Sequence, residues 1–169
     1  MPHVWDNFSI MSGTAAATLI GLLFVAITVT TGLPTSRIVQ GTRGFLTPTL
    51  VRFAGVLFLS LAMLAPWPSA WSIGIILGLG GLTGLIYQTT VVITRHRAGL
   101  FLVDWHNWVP NVGVPVLGNA SLIVGAVGLI AEKSFVPYAI AGAIALLRFA
   151  GIYGAWGVTL WIIANRDNR

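Results

Sequence analysis

Apolar residues in this chain fall into five long runs, separated by short segments that contain proline, glycine or charged residues. The runs cover approximately residues 8–31, 47–65, 71–94, 110–131 and 136–163. Each is long enough for a helix to cross a hydrocarbon core of about 30 Å at about 1.5 Å per residue. The pattern predicts an all-α membrane protein, a bundle of five transmembrane helices that forms one integral membrane domain over residues 1–169.

Composition supports a membrane environment. Apolar residues make up 56% of the chain and charged residues only 8%, whereas soluble domains carry about 25% charged residues. The sequence contains no cysteine, which excludes disulfides and thiolate metal sites. The lipid bilayer is therefore the first partner that the sequence implies.

Basic residues are distributed unevenly between the two ends of the predicted helices. Seven of the nine lie in or beside the segments after the first, third and fifth runs: Arg37, Arg43, Arg52, Arg95, Arg97, Arg166 and Arg169. We expect the protein to lie in the cytoplasmic (inner) membrane. The positive-inside rule then places its N-terminus outside the cytoplasm and its C-terminus in the cytoplasm. The same residues favour contact with anionic lipid headgroups at the cytoplasmic face, and nucleic acid is not an expected partner.

The segment from Ala98 to Trp108 is apolar but too short to span a bilayer. We expect it to form a short interfacial helix on the cytoplasmic side, before the fourth span. A re-entrant segment is the alternative, and it would need burial within protein to satisfy its backbone.

Arg148 lies near the middle of the fifth run, where a charged side chain is costly in lipid. Counting residues along the helices places Asn119 of the fourth run at a similar depth, so the two side chains are expected to meet. Such a pair would form a binding site for an anion, a lipid headgroup or a polar solute. In the alternative interpretation, Arg148 is structural and bonds helix carbonyls or the carboxylate of a partner subunit.

Pro115 interrupts the backbone hydrogen bonding of the fourth run. Because proline has no N–H, it frees a carbonyl near Asn111 that another group must satisfy. Asn111, Pro115 and Asn119 also share one helical face at a spacing of four. We therefore include Asn111 among the candidate binding residues.

Arg52 and Gln88 form a second candidate cluster. Both lie about 8–9 Å inside the cytoplasmic boundary when depth is counted along the second and third runs. The alternative for Arg52 is that its side chain snorkels to lipid phosphates at that boundary.

Several kinds of chemistry have no support in the sequence. His3, His96 and His106 lie outside the runs, which excludes haem held between helices. No carboxylate lies within a run to relay protons. We expect no catalytic residues, no metal site and no cofactor.

The run from Leu19 to Ile27, preceded by Gly13 and by the Trp5-Asp6-x-Phe8 motif, resembles the first helix of small bacterial integral membrane proteins of unknown function. The resemblance covers mainly the first helix. It implies a bacterial cytoplasmic membrane location and no particular activity.

Small residues repeat at a spacing of four, as in Gly13, Ala17 and Gly21, and such stripes let helices approach closely. The sequence thus favours a non-enzymatic multi-span membrane protein, a self-associating or accessory subunit of a membrane complex. One alternative is a small channel or transporter for an anion or polar solute that uses Arg148 and Asn119. Another is a membrane enzyme that acts on lipid.

Overall fold

The computed structural model describes residues 5–28, 46–97 and 108–166, and these form five long helices without any strand. The helices are α1 (Asp6–Thr28), α2 (Thr47–Leu64), α3 (Ala70–Arg97), α4 (Val109–Ile130) and α5 (Val136–Arg166). All five are long and apolar enough to cross a membrane, so the predicted all-α architecture with five candidate spans is confirmed. The segment predicted as an interfacial helix lies outside the described residues, apart from Trp108 at its end.

The helices do not pack in chain order. α4 packs closely against both α3 and α5, α1 packs against α2, and α2 packs against α5. α2 and α3 contact each other only weakly, although a turn of five residues (65–69) is all that joins them. A cleft therefore separates these two consecutive helices, with α4 behind it.

One end of the bundle carries a cluster of aromatic side chains. The rings of Trp5 and Tyr138 meet edge to face with centroids 5.5 Å apart, and Trp5 also contacts Phe8 at 6.1 Å. Trp67 donates its indole N–H to the carbonyl of Ala62 at 2.6 Å. Amphipathic rings of this kind are enriched where a membrane meets water. The Trp5–Tyr138 contact also places the start of α1 level with the start of α5.

The apolar core lies between the helices, and a second set of large apolar residues faces outward. The buried set includes Val56, Leu77, Leu122, Ile140 and Ile144. The exposed set is larger, with members on every helix, such as Phe24, Phe58, Ile86, Leu117, Val127 and Phe149. A monomer in water rarely exposes so much contiguous apolar surface, whereas a bilayer accommodates it.

Small residues set the distance between α1 and α2. Gly13 is buried so closely against Ser60 that a Cβ atom on it would lie 3.1 Å from the Cβ of Ser60. Ala17 and Gly21 are exposed instead. The predicted stripe is therefore divided, with Gly13 packing inside the bundle and the other two residues facing outward.

Candidate functional site

The start of α4 is irregular where the sequence predicted a break. Residues Val109–Gly113 form a π-helical turn, in which the N–H of Val114 donates to the carbonyl of Val109. Pro115 follows, and it has no N–H to donate to the carbonyl of Asn111 one turn earlier. As the sequence predicted, the Asn111 carbonyl near the start of α4 therefore receives no hydrogen bond from the residue one turn later.

Two side chains from other helices donate hydrogen bonds to this carbonyl. Nη2 of Arg52 lies 2.9 Å from the Asn111 oxygen, and Nε2 of Gln88 lies 2.7 Å from it. Nη1 of Arg52 reaches α5, where it donates to the carbonyl of Ala150 at 3.1 Å. The predicted proximity of Arg52 and Gln88 is thus confirmed, and a single backbone oxygen joins α2, α3 and α4.

Snorkelling of Arg52 to lipid phosphates is the wrong interpretation for this residue. Its side chain is only 8% exposed and points between the helices. The two hydrogen bonds to carbonyls of α4 and α5 explain why: a planar guanidinium can donate to two acceptors in different directions. Arg52 therefore links α2 to both α4 and α5.

Asn119 lies two turns further along α4 and faces α3. Its Nδ2 donates to the carbonyl of Pro115 at 2.8 Å, and the residue is 6% exposed. The side-chain carbonyl packs directly over Gly84, where a Cβ atom would collide with Oδ1. The orientation of the amide follows from these contacts, because only the NH2 group can face the Pro115 carbonyl.

Arg148 does not meet Asn119, so the predicted pair is absent from the structure. Nη2 of Arg148 instead donates to the carbonyl of Met11 on α1, at 3.5 Å, and the side chain is half-buried. The depth estimate failed because equal depth along two helices does not place their side chains on facing sides. Arg148 points toward α1, whereas Asn119 points toward α3.

Arg52, Gln88 and Asn119 line one cavity of about 300 Å³, which we call the α2–α3 cavity. Most of its walls are apolar, and its remaining lining residues are Val51, Gly55, Leu59, Gly80, Thr83, Gly84, Tyr87, Pro115, Leu122 and Leu147. It occupies the cleft between α2 and α3, with α4 and Leu147 of α5 behind. Residues that the sequence placed in two separate clusters therefore share one site.

Sequence reasoning missed the glycines that open this cavity. Within the part of the chain that the structure describes, no atom lies within 4 Å of the position where the Cβ of Gly55 would lie, and Gly84 accommodates Asn119. Gly80 and Gly84 share the spacing of four that, in the sequence, indicates only close helix packing. Asn119, a polar residue within α4, was the one feature of the sequence that could have indicated this contact. Its glycine partner cannot be identified from the sequence unless it is known that α3 packs against α4.

The polar groups of the cavity differ in what they can still bind. The Thr83 hydroxyl donates to carbonyls of its own helix, and the amide N–H groups of Gln88 and Asn119 serve backbone carbonyls. No group of three or more His, Asp or Glu side chains that could hold a metal ion occurs among the described residues.

No protein-family model matches the chain, and comparisons with curated proteins and with solved structures find no similar protein.

Proposed function

We propose that this chain is a non-enzymatic, multi-pass protein of the bacterial cytoplasmic membrane that works as a self-associating or accessory subunit of a membrane assembly. Its N-terminus lies outside and its C-terminus in the cytoplasm, where the basic segments contact anionic lipid headgroups. The uneven distribution of arginine supports this orientation. The resemblance of the first helix supports the bacterial location.

The observation that carries the proposal is a face of α1 that none of the other four described helices covers. Thr14, Thr18 and Gly21 are exposed and lie on one side of the helix. The Thr18 hydroxyl donates to the Thr14 carbonyl at 2.9 Å, and no atom of the described residues lies within 4 Å of the Cβ position of Gly21. Residues of this size let a neighbouring helix approach closely in a bilayer.

Arg148 places a cation beside the same helix. Alignment through the Trp5–Tyr138 contact puts the Cα of Arg148 level with Ala15, about four residues or 6 Å deeper than Met11. The side chain therefore extends back toward the outer end, as helix geometry favours. Its single hydrogen bond within the described residues, at 3.5 Å, uses one of five N–H donors.

A helix of another chain would pack against the small residues of α1 and supply a hydrogen-bond acceptor for Arg148. The chain has four side-chain carboxylates: Asp6 begins α1, Glu132 follows α4, and Asp104 and Asp167 fall outside the apolar runs of the sequence. A charged residue at the depth of Arg148 is stabilised by an acceptor on protein. Charge complementarity therefore favours a different chain with a carboxylate or amide in its span over a second copy.

Two open glycines provide the test. Gly21→Leu fills the face of α1, and Gly142→Leu on α5 is the matched control, because neither glycine has a described neighbour within 4 Å of its Cβ position. The full chain is extracted from native membranes in a lipid-preserving polymer, and the assembly is measured by native mass spectrometry. We expect wild type and Gly142→Leu to carry a stoichiometric partner and Gly21→Leu to lose it.

A wild-type chain that extracts as a monodisperse monomer would overturn the proposal. So would equal retention of the partner by Gly21→Leu and by the control. Recovery of a dimer of this chain alone would support association but reject the preference for a different partner.

The channel or transporter expected from Arg148 and Asn119 has lost its main support. The two side chains have separate partners, Met11 and Pro115, and Arg148 does not line the α2–α3 cavity. The described residues therefore form no path that both side chains line.

A further inference from the structure

We propose that the α2–α3 cavity binds a neutral amphiphile with a hydroxylated head, such as an acylglycerol, whose hydrocarbon chain remains in the bilayer. The site does not depend on the assembly proposed for α1, since the two lie on different helices. Four observations support it: unused acceptors, an apolar wall, an opening to the side of the bundle, and depth.

The first observation is a pair of side-chain oxygens that need a donor. Within the described residues, neither Oδ1 of Asn119 nor Oε1 of Gln88 accepts a hydrogen bond. The residues are 6% and 4% exposed, and both line the cavity. Among the described residues, the only fully buried side-chain nitrogen or oxygen without a hydrogen-bond partner is Oγ of Ser60. Both amide oxygens therefore keep accessible surface, and buried polar atoms of this kind are normally hydrogen-bonded.

These acceptors determine which head group fits. An amide oxygen accepts hydrogen bonds and cannot donate them, so the ligand must carry O–H or N–H groups. Arg52 lines the same cavity, and its positive charge disfavours an ammonium head. Two neighbouring hydroxyls, as in a glycerol, match two acceptor oxygens in one cavity.

The remaining walls determine the body of the ligand. Leu59, Leu122 and Leu147 form an apolar surface, with Gly55 and Gly80 beside it. A volume of about 300 Å³ lies at the lower end of the range for ligand pockets, about 300–1,000 Å³. A head and a few methylene groups fill it, and a longer chain must leave the cavity.

The chain can leave through the cleft between α2 and α3, which contact each other only weakly. Val51 and Thr83, both exposed, border the cavity on the two helices. The exit therefore faces the bilayer, which favours an amphiphile over a free solute.

Depth disfavours a charged head. Asn119 lies about 15 Å along α4 from its start at Val109, well inside the hydrocarbon region of a spanning helix. A phosphate drawn to this depth would lose its hydration, whereas a hydroxyl loses far less. A neutral acylglycerol therefore fits better than a phospholipid.

The experiment measures photolabelling of the full chain in phosphatidylcholine nanodiscs. The probe is monoacylglycerol with a diazirine in its acyl chain, and the comparator is the methyl ester of the same fatty acid, which has no hydroxyl. We expect labelling by the monoacylglycerol to be about tenfold stronger than by the ester, and unlabelled free glycerol not to compete.

Two variants test the site from different directions. Asn119→Leu removes the acceptor with little change in size, and Gly55→Leu fills the cavity from a position with no neighbour within 4 Å. We expect about tenfold weaker labelling for each, and wild-type labelling for Gly142→Leu, whose glycine is equally open but lies outside the cavity. Matching thermal melts by circular dichroism establish that each variant is folded.

Wild-type labelling in folded Gly55→Leu would overturn the site. Equal labelling by the ester and the monoacylglycerol would overturn the role of the amide oxygens. Competition by free glycerol at the concentration of the monoacylglycerol would show that the head alone is bound, and would overturn the lipid assignment.

Discussion

The hydrogen bonds at the Asn111 carbonyl make a specific prediction about two residues on different helices. Pro115→Ala restores an N–H that can donate to this carbonyl within α4. Gln88→Leu removes the donor that α3 supplies at 2.7 Å. If Pro115 is the reason that the carbonyl needs Gln88, the effect of losing Gln88 must depend on which residue occupies position 115.

The magnitude follows from the number of donors that remain. In the native background, Gln88→Leu leaves Arg52 as a donor to the carbonyl at 2.9 Å, so the loss is a single hydrogen bond. Hydrogen bonds between membrane helices contribute about 0.6 kcal/mol on average and about 1.7 kcal/mol at most. Because this bond is short and buried, we expect about 1 kcal/mol. In the Pro115→Ala background, the same substitution should change stability by less than about 0.5 kcal/mol.

A double-mutant cycle measures this difference. The free energy of unfolding of the purified chain is obtained from SDS titration in mixed micelles, followed by tryptophan fluorescence. Thr90→Val is the matched control on α3, since the Thr90 hydroxyl donates to its own helix at Ile86. Its coupling to Pro115→Ala should be close to zero. Additive effects of Gln88→Leu and Pro115→Ala, within about 0.3 kcal/mol, would refute the reasoning.

Two further substitutions test packing by the same titration. Ser60→Ala should leave stability unchanged or raise it by up to about 1 kcal/mol, because Oγ of Ser60 is buried without a partner among the described residues; a loss above about 1 kcal/mol would reveal a bond that the structure lacks. Gly84→Ala should destabilise the chain by about 1–3 kcal/mol, because the new Cβ collides with Asn119, and a neutral result would show that α3 and α4 separate easily.

The sequence predicted the helices well because apolar runs long enough to cross a bilayer can be identified directly from the order of residues. The apolar runs coincide closely with α2 to α5, and only the end of the first run extends beyond the described residues. The need for a side-chain donor at the Asn111 carbonyl was also predictable, since a proline removes a specific backbone donor whatever surrounds it. These properties depend on the local chain alone.

Contacts between helices were predictable only in part. Arg52 and Gln88 were correctly placed together by depth, whereas Arg148 and Asn119 were paired wrongly by the same argument. Whether two side chains meet depends on their depth along the helices and also on the direction in which each side chain points around its helix. Counting residues gives only the depth. That direction follows from the packing order, in which α2 lies beside α5 and apart from α3, and nothing in the apolar pattern specifies that order.

The two carbonyls held by Arg52 have a consequence for biogenesis. They belong to residues 59 and 98 positions later in the chain, so α2 leaves the ribosome well before either acceptor has been synthesised. The early intermediate must accommodate this arginine in water, in the insertion machinery or at the lipid surface. Closure around it then becomes a late step, completed only after the last helix has been inserted.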